Sequence, residues 1–255
     1  MIEMKTPAQI VKMREAGRVV ARALQAMQDA AAVGVTLKEI DSVAARVLAD
    51  AGATSPFLDY HPDWAPVPFP GVICASVNDA IVHGIPTDYA LQDGDLVSID
   101  FGAVLDGWCG DSARSFIVGT PRAEDQRLVD VTKAALDAGI AAAQVGSTIG
   151  DIGHAVSRVA RKARFGNLED HGGHGIGTEM HMDPFVPNEG RRGKGLKLTP
   201  GLVIAIEPMF IADGHGDYVQ DDDGWTLRSP RGARAAHWEH TIAITDDGPM
   251  ILTAL

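Results

Sequence analysis

A chain of 255 residues with 45% hydrophobic content can bury a sizeable core, as one large domain or two fused halves. Its net charge of −12 argues against a nucleic-acid binder; the nearest basic cluster, Arg191-Arg192-Gly193-Lys194-Gly195-Leu196-Lys197, is short and Gly-rich and reads as a solvated turn. No apolar run approaches the ~20 residues of a membrane-spanning helix, the N-terminus lacks a signal-peptide pattern, and Cys74 and Cys109 build no disulfide framework, so a reducing compartment, the cytoplasm, is expected.

Residues 7–31 place Ile10, Met13, Gly17, Val20, Leu24, Met27 and Ala31 three and four apart, one face of a helix. Thr36-Leu37-Lys38-Glu39 is a capping box that opens a second helix, which Gly52 ends. The stretch 55–71, rich in proline and aromatics, is a loop. The short runs VICASV, LVSIDFGAVL and SFIVG read as strands, and Asp106-Gly107 is a hairpin turn between two of them.

The pattern then restarts. Val33-Gly34-Val35-Thr36-Leu37 matches Val145-Gly146-Ser147-Thr148-Ile149 at an offset of 112 residues. The strand segment Leu91–Asp100 matches Leu198–Glu207 at an offset of 107, so the first half carries five extra residues, for which the loop 55–71 is the expected place. Each half reads helix, helix, strands, carboxylate, turn, carboxylate. The expected architecture is two αβ halves related by a pseudo-twofold, sharing a sheet with helices behind it and one face open.

That repeat puts Asp100 and Glu207 at matched positions after apolar runs. Two such buried carboxylates need positive charge, and no nearby lysine or arginine supplies it, so cations are expected. Asp111, delivered by the hairpin, and Glu239, delivered by a longer surface connection from Pro208 to His237, are the second carboxylate of each half. His174 in HGGHGIG adds an imidazole with no visible twin. This oxygen-rich set suits Mn, Fe or Co at least as well as Zn. Two ions would lower the pKa of a bridging water, and the resulting hydroxide attacks a polarised carbonyl. His83 in VHGIP and His181 in MHMDP are candidates to bind substrate. His61, His154, His215 and His237 are expected on loop or helix surfaces; His171 and His240 stay open.

Together VHGIP (82–86), SIDFG with GWCGDSARSF (98–116), GHGIGTEMH (173–181), IEPM (206–209) and EHTI (239–242) make the chain resemble type I methionine aminopeptidase over essentially its full length. The resemblance implies an α+β pita-bread fold: one catalytic domain, 1–255, with pseudo-symmetric halves of about 7–120 and 121–250, an antiparallel sheet and helices on its outer face. It implies that Asp100, Asp111, His174, Glu207 and Glu239 bind two divalent ions, with Asp111 and Glu239 bridging. Glu207 would shuttle the proton, His181 contact the scissile peptide and His83 assist at the substrate backbone. Cys74, Trp225 and Met180 match positions at the methionine pocket, and Tyr60, Trp64 and Phe69 are candidates for its remaining aromatics. The implied substrate is the N-terminal methionine of nascent polypeptides whose second residue is small. The implied setting is a cytoplasmic monomer in transient contact with the ribosome. A peptidase of the Xaa-Pro class is the alternative, disfavoured because the chain is expected to begin directly at the catalytic fold. A metal-free interaction module of the same fold is disfavoured because all five ligands are present.

Overall fold

The computed structural model describes residues 2–255. In chain order it runs α1 (Pro7–Ala30), α2 (Leu37–Ala51), β1 (Cys74–Val77), β2 (Ala80–Val82), β3 (Leu96–Leu105), β4 (Trp108–Ile117), α3 (Ala123–Ala142) and α4 (Ile149–Ala163), then β5 (Gly166–Asn167), β6 (Gly172–Gly175), β7 (Met182–Pro187), β8 (Val203–Ile206), β9 (Met209–Ile211), β10 (Val219–Gln220), β11 (Leu227–Arg228), β12 (Ala235–His237), β13 (His240–Thr245) and β14 (Gly248–Ile251). All strand pairs among the described residues are antiparallel.

Local chemistry sets the helix boundaries. Thr6 caps α1 through a box with Gln9, and Pro7 occupies a position whose N–H needs no partner. Thr36 and Glu39 form the expected box on α2, and Gly52 ends that helix in the left-handed region at φ 64°. Thr148 and Asp151 cap α4 in the same way. The apolar stripe of α1 buries Ile10, Met13, Gly17, Val20, Leu24 and Met27.

The halves repeat in hydrogen bonding as well as in sequence. Gly34 N–H donates to Leu91 O at 2.7 Å, and Gly146 N–H to Leu198 O at 2.9 Å. Thr36 bridges Ala90, and Thr148 bridges Lys197. The partners keep the offsets of 112 for the helix starts and 107 for the strands. In each half a three-strand core follows: β1-β3-β4 in the first, β6-β8-β13 in the second, the latter extended by β7 and β14. Rather than forming one continuous ladder, the two sheets are stitched where β4 meets β13. Asp111 N–H donates to Thr241 Oγ1 at 3.0 Å, Thr241 Oγ1–H donates to Asp111 O at 2.8 Å, and Glu239 N–H donates to Ala113 O at 3.0 Å.

Strand alternation then sorts the faces. Val97, Ile99, Phe101 and Ala103 pack with α1 and α2 in one core. Ile204, Ile206, Ile242 and Ile244 pack with Leu136, Ile140 and Ile152 of α3 and α4 in another. The residues between them, Asp100, Asp111 and Glu239, with Glu207 just beyond β8, therefore share the face away from the helices.

The connection from Pro208 to His237 is not a plain surface loop. It contains β9 to β12; β11 pairs with β2 of the first half, and β12 pairs with β9. These strands span only two or three residues each, too short for a period-two pattern to register. The basic cluster 191–197 is exposed, as expected, and lies at the start of α4, where Gly150 N–H donates to Lys194 O at 2.9 Å.

Candidate metal centre and substrate cavity

The tight turn at Asp106 (φ 50°) and Gly107 (φ 78°) fixes the β3–β4 register, with Asp100 opposite Ala113 and Gly102 opposite Asp111. Asp100 and Asp111 thus sit on one face, diagonal neighbours on adjacent strands. In the second half His240 pairs with Ile206, which sets Glu239 and Glu207 beside each other at the strand ends. His174 enters from β6. Asp111, His174 and Glu239 bring ligand atoms within 4.8 Å of one another. His174 Nε2 stands 3.6 Å from Asp111 Oδ2 and 3.8 Å from Glu207 Oε1. Its Nδ1 lies 2.9 Å from Gly175 O, so Nδ1 carries a proton and Nε2 is the nitrogen left facing the carboxylates, to take up a proton or a cation.

The residues fit a divalent cation. Asp111 and Glu239 are 3% and 1% exposed, yet Asp111 Oδ1, Glu239 Oε1 and Asp100 Oδ1 are buried without a hydrogen-bond partner. No lysine or arginine lines the cavity that they face. Burial first, then Asp111 and Glu207 nearby, pushes the carboxyls of Asp100 and Glu239 well above the usual carboxylate range. Buried, mutually repelling oxygens with no protein cation are what a metal resolves. Burial lowers the basicity of His174, but the Asp111 and Glu207 carboxylates outweigh it and leave the imidazole raised.

His83 and His181 flank this cluster. Burial, followed by His171, His237 and His181, brings His83 down to about 3; burial and His174 lower His181 as well. Both are neutral imidazoles near pH 7, each with one donor and one acceptor. Their placement follows from the repeat. Ser76 faces Ser98 across β1–β3, and Gly175 faces Ile204 across β6–β8. Carrying the equivalence of Asp100 and Glu207 across these ladders relates Ser76 to His174 at an offset of 98, and the same offset relates His83 to His181. His174 therefore has a structural counterpart after all, a buried serine.

A cavity of about 370 Å³ opens beside the carboxylates. Cys74 and Trp225 line it, and so do all three loop candidates, Tyr60, Trp64 and Phe69, joined by Phe57. Trp225 is the hub: Trp64 and Phe69 meet it edge-on at 5.0 and 5.1 Å, and its Nε1–H donates to Val67 O at 2.9 Å, pinning the loop 55–71. Burial pushes the Cys74 thiol well up, so it serves as an apolar wall. Met180 is not among the lining residues; it packs behind them, against Gly102 and in a core with Phe57 and Phe69.

His237 is not on a surface: it is 2% exposed, ends β12, and its Nε2 lies 3.5 Å from Glu207 Oε2 without a hydrogen-bond partner. With Glu207 and Glu239 it forms a second group of close ligand atoms. The sequence held a signal for it: in AAHWEH, His237 stands two positions before Glu239 and so shares its face. Reading 208–237 as loop hid that alternation. His171 also lines the cavity, with its ring 6.2 Å from that of His83. His61 and His215 are exposed, as expected.

A family model for metallopeptidase family M24 matches residues 11–246. Methionine aminopeptidase 1 of Mycobacterium tuberculosis is 48% identical over 259 residues, covering 99% of this chain and 95% of that protein. The crystal structure of a methionine aminopeptidase from Thermotoga maritima superposes with a TM-score of 0.95 at 36% identity, covering all of both chains. A prolidase from Pyrococcus furiosus shares the fold alone, at TM-score 0.76 and 22% identity over 99% of this chain and 65% of its own. The fold is thus the pita-bread arrangement common to both enzyme types, and the chain belongs to metallopeptidase family M24 and, within it, to the methionine aminopeptidases.

Proposed function

We propose that this chain hydrolyses the peptide bond after an N-terminal methionine when the second residue is small, using two divalent cations held by Asp100, Asp111, His174, Glu207 and Glu239. The observation that carries the reading is the juxtaposition of unpartnered buried carboxylate oxygens, without any lining lysine or arginine, and an aromatic cavity of about 370 Å³. Residues 1–255 act as one catalytic unit, with repeat halves of about 7–120 and 121–250.

When bound, the cations supply Lewis-acid polarisation of the scissile carbonyl and acidify a water molecule; Co, Mn, Fe and Zn are the candidates. The chain's own residues do the rest. Tyr60, Trp64, Phe69, Cys74 and Trp225 enclose the methionine side chain, where thioether–aromatic contacts contribute about 0.3–1.5 kcal/mol each. His181, neutral and 4.5 Å ring to ring from His174, donates a hydrogen bond to the oxygen on which charge develops. His83 holds the substrate backbone. Glu207, at the open edge of the cluster, takes the proton of the attacking water and delivers it to the leaving amine. A methylene is worth only ~1–3 kcal/mol of discrimination, so selection for a small second residue is steric exclusion.

The setting follows from the same reading: a cytoplasmic monomer meeting nascent chains at the ribosome. Among the described residues no helix is long and apolar enough to cross a membrane. The test is to titrate metal-stripped protein with Mn, Co, Fe or Zn against Met-Gly-Met and Xaa-Pro peptides. Methionine release from Met-Gly-Met is expected; no release with any metal would overturn the reading, and preferential Xaa-Pro cleavage would replace it.

A further inference from the structure

The Glu207 carboxylate lies between two imidazoles. His174 Nε2 approaches Oε1 at 3.8 Å, and His237 Nε2 approaches Oε2 at 3.5 Å. The first imidazole belongs to the Asp111–His174–Glu239 cluster; the second has no part in the activity described so far. His237 is fixed from behind. Ser115 Oγ–H donates to His237 O at 2.8 Å, and His237 N–H donates to Ser115 Oγ at 2.9 Å. Ser115 in turn pairs with Ser98 Oγ at 2.7 Å, and both serines lie on the strand face that carries Asp100 and Asp111. The backbone of His237 is therefore tied to the first half, while its side chain reaches a carboxylate of the second. The main chain of Glu207 is held as well: Asn188 Nδ2–H donates to its carbonyl at 2.9 Å. Only the carboxylate torsion is left to be set, and His237 Nε2, buried and unpartnered, faces the oxygen turned away from His174.

We propose that His237 is a positioning residue for Glu207: its Nε2–H donates to Oε2 and commits Oε1 to the cation cluster. A shift of about half an ångström brings the pair to hydrogen-bond length. The second imidazole thus acts through a ligand rather than as one. Outer partners that orient a metal's ligands change its affinity by roughly 10–100-fold. Held this way, Glu207 keeps one oxygen for the cation and a fixed geometry for its proton-transfer step. The inference rests on the ligand set proposed above, and it gives the connection from Pro208 to His237 a purpose: that connection delivers the residue that aims Glu207.

The test is calorimetric titration of the metal-stripped full chain with Co(II), for wild type, His237→Ala and His237→Gln, beside kcat and KM on Met-Gly-Met. His237→Ala is expected to bind the same number of ions with affinity lowered about 10–100-fold and to lose kcat more than KM. His237→Gln, whose amide N–H reaches the same oxygen, is expected to recover most of both losses. Three results overturn the proposal: His237→Ala binding Co(II) like wild type; His237→Gln failing as badly as His237→Ala; or loss of one bound ion, which would make His237 itself a ligand. A wild-type chain that binds Co(II) but releases no methionine defeats the proposed function and leaves the Co(II) comparison of the variants to decide the positioning role.

Discussion

The two halves bring carboxylates to one place by different means. In the first half a two-residue turn joins β3 to β4, and the register alone makes Asp100 and Asp111 neighbours. In the second half the chain leaves β8 at Glu207 and returns at Glu239 only after β9 to β12. The two routes end in unequal ladder positions: Asp100 and Asp111 are diagonal neighbours, whereas the pairing of His240 with Ile206 sets Glu239 directly across from Glu207. The short route carries nothing but the carboxylates. The long route also carries Trp225, which anchors the aromatic cavity, and His237, which meets Glu207. A duplicated framework sets the carboxylate positions, and the unequal connection gives one side of them a wall.

Matched substitutions break this comparison most sharply at the stitched carboxylates. Asp111→Ala and Glu239→Ala are each expected to lower turnover of Met-Gly-Met by more than the ~100-fold upper range for losing an outer-shell partner. Equal losses mean that the halves contribute equally to cation binding; a near-normal rate in either variant, checked by steady-state kinetics with metal in excess, defeats the two-cation arrangement.

The pair His83 and His181, equivalent by the repeat, should separate rather than match. His181→Ala removes a donor to the developing charge and is expected to cost about 10²–10³ in kcat. His83→Ala is expected to act more on KM, because its proposed part is to hold substrate backbone. Identical kcat and KM patterns in the two variants would mean that the symmetry extends to function.

The smallest effect is on stability, and it compares Asp100 of one half with Glu239 of the other. Both carboxyls are raised in the folded protein, by burial and by neighbouring carboxylates. A raised acid stabilises the fold fully below its unfolded value, near 3.8 for Asp and 4.5 for Glu, and loses that contribution as pH climbs through the folded value. In chelated protein these two carboxyls are therefore expected to add a downward slope to the melting temperature as pH rises, beside the opposite slope from the buried neutral His83 and His181. Asp100→Asn and Glu239→Gln should each flatten part of that slope. Adding cation at hundredfold excess over Kd at pH 7.5 is expected to raise Tm by about 5–10 °C. Variants whose melting temperature falls with pH as steeply as that of wild type would contradict the burial of charge at both positions.

Much of this was legible in the sequence, for physical reasons. The helices announce themselves through threonine caps and three-four spacing over several turns, and β3–β4 through a turn whose residues accept positive φ. The carboxylates stood out because charge after an apolar run is costly unless something compensates it. What stayed hidden depends on contacts between distant segments. The pairing of β11 with β2 joins Leu227 to Val82, and nothing local marks either as a partner. Phe57 joins the cavity wall through the fold of the loop 55–71, which Trp225 pins at Val67 from a distant segment. His237 belongs with these: its strand is three residues long, and its partner, β9, is equally short.

The close approach of α1 to β4 has a mechanical meaning. A side chain at Gly110 would meet Gly17 N at 2.9 Å, and one at Gly17 would collide with the Leu252 carbonyl. Three backbones touch there with no side chain between them, one residue away from Asp111. Side chains yield by changing rotamer, whereas backbone in direct contact has no such compliance. The carboxylate that joins the two halves is thus referenced to a nearly incompressible seat, and its position should vary less with temperature than that of the aromatic loop across the cavity.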